Sequence, residues 1–282
     1  MERIFTAIYI AGFSSAGASH IIGIYLLFKV KNNIANQRVL TINLAFAEML
    51  GSWYHVFDKV RTKDWDHVDA FFDTFIFPCI RWIVILIIID RFLDIYLHIK
   101  YPVYITTRKL LATTFFVYGF SVIVALILTL LTHKDVISLE DQYKKLSFTI
   151  LILDVAIIFI AVVTYIYLYS CVRRILQDSV AGKQTRERLW VKFMVPCLLV
   201  ATHILFNATS SIIKTIFNVK TMSEKSQNLY VRIFGILDCL GWQSDAVIYI
   251  FLPKQIRTFL ISSLGRAVCK VNRTGEHSLV EL

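Results

Sequence analysis

Long apolar runs alternate with short polar stretches along the whole chain. Seven runs can be read, over residues 5–28, 39–56, 70–97, 110–131, 146–169, 189–213 and 229–251. Runs of about 20 apolar residues, rising 1.5 Å per residue as helix, match the hydrocarbon thickness of a bilayer. The pattern predicts an all-α fold, a seven-transmembrane helix bundle. After the last run, PKQIRTFLISSL has Pro253 at a helix start, where a missing N–H costs nothing. Ile256, Phe259, Leu260 and Leu264 fall on one face of it, which predicts a short amphipathic eighth helix on the inner leaflet. The membrane domain with this helix spans 1–264, and 265–282 is a cytoplasmic tail.

Composition agrees. The chain is 57% hydrophobic and 18% charged, with a mean hydropathy of +0.63, outside the range of soluble domains. The loops after runs one, three and five, with the C-terminal segment and their helix ends, hold 18 of the 30 Lys and Arg. Orientation follows positive charge, so the N-terminus is expected outside and the C-terminus in the cytoplasm. The net charge of +10 then serves topology and anionic lipid, not nucleic acid. The first run begins almost at once and reads as a signal anchor. None of the five cysteines lies in an outer loop, so neither an extracellular disulfide nor a metal site is indicated. Cys269 follows the amphipathic stretch and is either palmitoylated or a plain thiol.

Ionisable residues inside apolar runs carry the candidate chemistry. Glu48, Arg81, Asp154, Asp238 and Asp245 would each be costly facing lipid, so an internal polar network is expected. Asp154, at a similar depth on run five, is the expected counter-ion of Arg81. Glu48, Asp238 and Asp245 could form an acidic pocket holding protons, waters or a sodium ion, with Glu48 and Asp245 nearest the ion. Asp73 and Arg91 share one face of run three, about 27 Å apart by helical rise. Asp73 near the outer mouth either meets a ligand cation or pairs with the adjoining loop. Asp90 and Arg91 end the run; they either form a releasable contact or fix orientation by snorkelling.

Four stretches together resemble the rhodopsin-like (class A) G-protein-coupled receptors. Asp90-Arg91-Phe92 is similar to the Asp-Arg-Tyr motif ending their third helix. NLAFAE, ending in Glu48, resembles the second-helix motif. Tyr165 matches the switch tyrosine of the fifth helix, and DAVIYIFLPKQIR resembles the NPxxY motif with its following helix, placing Asp245 and Tyr249. The resemblance covers most of the chain and departs from the family at several points. His20 replaces the first-helix asparagine, the outer cysteine pair and the fourth-helix tryptophan are missing, and Ile157 and Ala246 replace prolines. In the sixth helix either Leu205 or His203 takes the place of the toggle tryptophan.

The resemblance implies a plasma-membrane receptor, not an enzyme, that transduces an extracellular small amine or peptide into activation of a heterotrimeric G protein. It implies ligand contacts at Asp73, Phe77, Thr149 and His203, and a switch built on Asp90, Arg91, Tyr165, Glu187 and Tyr249. The competing class is an ion- or proton-coupled transporter or channel, which intramembrane carboxylates would serve. Against it, the sequence has no internal repeat and no pair of Gly/Pro-broken helices. No HExxH, Gly-x-Ser-x-Gly or Cys-x-x-Cys supports an enzyme.

Overall fold

The computed structural model describes residues 2–30, 35–60, 66–97, 100–178, 194–216, 224–253 and 256–262. Of these, 95% are helical and none is in a strand. The long helices are α1 (Glu2–Lys29), α2 (Ala35–Val60), α3 (Asp66–Leu97), α5 (Thr107–His133), α6 (Leu139–Asp178), α7 (194–216) and α8 (Glu224–Phe251). A single turn, α4 (Tyr101–Tyr104), follows α3, and residues 256–262 form a further short helix.

Six of these helices are long and apolar enough to cross a membrane, over Ile4–Lys29, Asp66–Leu97, Thr107–His133, Leu139–Tyr167, Met194–Ile212 and Ile233–Phe251. The chain is therefore built as a multi-pass membrane protein. α2 falls outside that set because Glu48, Ser52, His55 and Asp58 interrupt it. Those polar positions do not exclude it from the fold: α2 packs on α1, α3, α5 and α8, with Leu40, Leu44 and Glu48 buried.

α3 is the interior helix. It touches α2, α5 and α6, and Ile76, Ile80, Ile83, Val84, Ile87 and Ile88 are buried along it. α8 closes the arrangement by packing against α1, α2 and α7. α5 and α6 turn large side chains outward instead. Phe115 and Phe116 are each 72% exposed and Phe159 is 69% exposed, as expected of a surface in contact with lipid tails. Two close approaches set the spacing. A Cβ on Gly51 would lie 2.8 Å from the Trp242 ring, and a Cβ on Gly23 would overlap the Tyr249 ring.

Element boundaries follow local chemistry. Ser138 caps α6 by accepting from the Asp141 amide at 3.1 Å, so the helix begins at Leu139. The polar LEDQYKK stretch, expected as part of a connector, is thus its first two turns. The turn before it needs left-handed backbone at Asp135 (φ 56°), one of the few residue types that tolerates it. Pro78 lies within α3, removing one amide from the ladder without ending the helix.

α7 contains a π segment, His203–Ala208. Such a turn holds an extra residue and breaks the 3.6-residue period. It settles which residue faces inward: His203 is fully buried and Leu205 is 63% exposed. Past α8, Ile256 is fully buried while Phe259 and Leu260 pack on the core, so this face, expected against the inner leaflet, meets the protein instead; Leu264 lies outside the described residues.

Candidate functional site

The polar residues inside the helices gather in layers down the molecule. In the middle layer, Arg81 of α3 meets Asp154 of α6 in a two-pronged pair, Nε to Oδ1 at 2.8 Å and Nη2 to Oδ2 at 3.1 Å. Both are buried, and two further donors are used: Nη1 donates to the Phe77 carbonyl at 3.0 Å and Nη2 to Ser211 Oγ of α7 at 3.0 Å. His203 Nε2 lies 3.5 Å from Asp154 Oδ1, and its Nδ1 meets the Asn207 amide nitrogen at 3.2 Å. The expected Arg81–Asp154 pair is present, and one guanidinium ties together three helices. The π turn brings His203 and Asn207 to the cluster. His203 therefore belongs to this polar network and not to an outer pocket.

A second cluster lies between α1, α2, α7 and α8. Glu48 and Asp245 are fully or almost fully buried and face each other. Thr202 donates to Asp245 Oδ1, His20 Nε2 is 3.6 Å from Glu48 Oε2, and His20 Nδ1 hydrogen-bonds the Tyr249 hydroxyl. Among the described residues no Lys or Arg joins the two carboxyls. Electrostatic balance there needs a proton or a small cation between them. Asp238, expected in the same pocket, is two turns nearer the N-terminal end of α8, beside Tyr9 and Cys239. The pocket holds two acids, not three.

At the C-terminal end of α3, Arg91 is 4% exposed and clamped by its own helix. It donates to both Asp90 and Asp94, the latter at 3.2 Å from Nη1, and the Tyr101 hydroxyl of α4 donates to the other oxygen of Asp90. Tyr165 of α6 is packed beside Cys197 of α7, near Arg91. Glu187, Cys269 and the tail lie outside the described residues.

The opposite end of the bundle, at the N-terminal end of α3, is aromatic and acidic. Asp73 is half-buried, close to Tyr9, Tyr54 and Tyr143. Tyr54 donates to Asp69 at 2.8 Å, and Tyr9 meets His55 Nδ1 at 3.2 Å. Phe77 stands one turn below Asp73, its ring 5.8 Å from His55 and 6.4 Å from Trp242. Thr149, expected beside them, is exposed and donates to the Lys145 carbonyl of its own helix at 2.9 Å. The rotation of α6 turns it away from Asp73.

Several partners escaped the sequence reading. His20 was legible only as a departure from a motif, not as a contact of Tyr249 and Glu48. Asp94 could have been found from its i, i+3 spacing to Arg91. Ser211, Thr202, Asn207 and Tyr101 carry no signal without the fold. Among the described residues no group of His, Cys, Asp and Glu has the form of a metal site. The chain matches no known protein-family model and no curated protein.

Proposed function

We propose that the chain is a seven-helix receptor of the rhodopsin-like type, with α2 as its second span and residues 256–262 as part of an eighth helix. It carries an outer stimulus to a G protein at the cytoplasmic face of the plasma membrane, its N-terminus outside. The observation that carries this reading is the state of Arg91. A guanidinium buried at the inner end of the central helix is costly unless satisfied. Here both its carboxylate partners and the tyrosine behind them lie on α3 and α4. Such a clamp can be exchanged for Tyr165, Tyr249 and an entering protein without breaking a bond to a distant helix. An outer ligand shifts the balance by binding one arrangement better than the other.

The ligand on this reading is a small amine or a basic peptide whose cation meets Asp73, with Phe77 and the tyrosines Tyr9, Tyr54 and Tyr143 offering ring faces. Thr149 has no part in it. The Glu48–Asp245 pair holds a proton or sodium and adjusts the equilibrium. The chemistry needed is binding and motion, with no covalent step. Asp90, Asp94 and Arg91 hold the resting state, and Glu187 could add a partner on the sixth span.

The test is second-messenger output from cells expressing the wild type and Arg91→Ala, challenged with amines and basic peptides, with surface protein measured in parallel. A response present in the wild type and reduced at least tenfold in Arg91→Ala at equal surface level is expected. Undiminished output in the variant would overturn the reading. A second reading rests on the buried ionisable groups in two layers, Arg81–Asp154–His203 and Glu48–Asp245–His20. These are what a proton-coupled carrier would need, and a pH-dependent current without any G protein would select it.

A further inference from the structure

We infer that His20 and Gly23 of α1 form the resting seat of Tyr249 and are positioning residues for it, which takes the first helix into the switching machinery. This rests on the receptor reading for its consequence but not for its geometry.

Tyr249 is 1% exposed and lies against α1 from two sides. One side is a hydrogen bond from its hydroxyl to His20 Nδ1, with the two rings 5.9 Å apart at 35°. The other is steric. Gly23 lies one turn further along α1, and the ring occupies the volume that a Cβ there would fill, with Tyr249 Cδ2 at 3.0 Å and Cζ at 3.3 Å from that position. A side chain at 23 and the ring at its present place exclude each other. A tether and a niche one turn apart on the same helix are independent observations, and both concern the same ring.

The tether has an orientation. His20 Nε2 faces Glu48 Oε2 at 3.6 Å, so a proton on Nε2 points toward a carboxyl oxygen. That leaves Nδ1 as the acceptor and makes the tyrosine hydroxyl the donor. The charge that favours this tautomer comes from α2, while the tyrosine it holds is on α8. A change at the Glu48–Asp245 pair is thereby felt at Tyr249 through one imidazole. The niche explains the glycine: Gly23 lies in a helix, where glycine is less favourable than alanine, and the ring supplies the reason for its presence.

The test places 3-fluorotyrosine at Tyr249 in the full chain, in lipid nanodiscs, and reads its 19F resonance in four proteins. Wild type is expected to show one dominant resonance. His20→Leu, which keeps the volume and removes the acceptor, and Gly23→Ala, which fills the niche, should each raise a second resonance at least fivefold. His20→Asn, which keeps a polar atom near the position of Nδ1, should return most of the population to the first. Unchanged spectra in both His20→Leu and Gly23→Ala, with both proteins melting cooperatively, would overturn the seat. So would a His20→Asn spectrum no different from that of His20→Leu. Because the resonance needs no G protein, absence of second-messenger output from every protein, wild type included, falls on the receptor reading alone.

Discussion

A buried charge is tolerated when it is paired and most of its donors have partners, and Arg81 makes four such bonds, to Asp154, Ser211 and the Phe77 carbonyl. Removing one partner leaves the other charge buried and alone. Asp154→Leu is therefore expected to cost about 3–5 kcal/mol, while Arg81→Met with Asp154→Leu should recover most of it. Melting of the purified protein in one detergent compares the three. A double variant no more stable than Asp154→Leu would show that the pair does more than neutralise itself. This contact was legible in the sequence, since two opposite charges at similar depth in apolar runs have few other partners. The grouping of Asp238 with Asp245 failed: seven residues of helix put them on one face but about 10 Å apart along it, and the rise already legible in the sequence was outweighed by the shared face. Thr149 failed for another reason: which face of α6 looks inward depends on its rotation against α3, which the apolar pattern of a lipid-facing helix barely constrains.

At the scale of elements, the ends of α3, α5 and α6 at one side of the bundle are stitched by Gln142. Its carbonyl accepts from Thr132 of α5 at 2.6 Å, and its amide reaches Thr74 Oγ1 at 3.3 Å and the Ala70 carbonyl at 3.4 Å on α3. The residue is fully buried, in the stretch that sequence polarity assigned to a loop. Its charged neighbours Glu140 and Lys144 face outward, paired at 3.0 Å, and it is their polarity that disguised the helix. Gln142→Leu should lower stability by about 1–2 kcal/mol, because both threonines keep a bond to their own helix backbone. An unchanged melting temperature would show the stitch to be neutral. The existence of the long helices was legible, but not the single turn of α4, the first turns of α6 or the register of α7. Its π turn inserts a residue that a fixed period cannot foresee, so Leu205 and His203 could not be ranked until burial separated them.

For the whole molecule, the lipid-facing surfaces of α5 and α6 and the six apolar helices define a membrane body, and the charge bias predicts its direction. An epitope tag before Met1 is expected to be reached by antibody on intact cells, and one after Leu282 only after permeabilisation. The reverse pattern would invert the assignment of inner and outer ends and remove the basis for a cytoplasmic Arg91. The Arg81 junction also constrains how the protein is made. Asp154 follows Arg81 by 73 residues, and Ser211 follows it by 130. At about 5–20 residues per second, the ribosome supplies the first partner roughly 4–15 s after the arginine has been synthesised. During that interval α3 holds an unmatched cation at mid-bilayer depth. Lateral release of α3 into lipid should therefore lag behind that of α1, the helix waiting at the translocon or at an insertion chaperone until α6 arrives. On this account the charge that binds three finished helices together would also order their exit from the insertion machinery, and crosslinking of stalled chains to the translocon should find α3 still held at lengths where α1 has left.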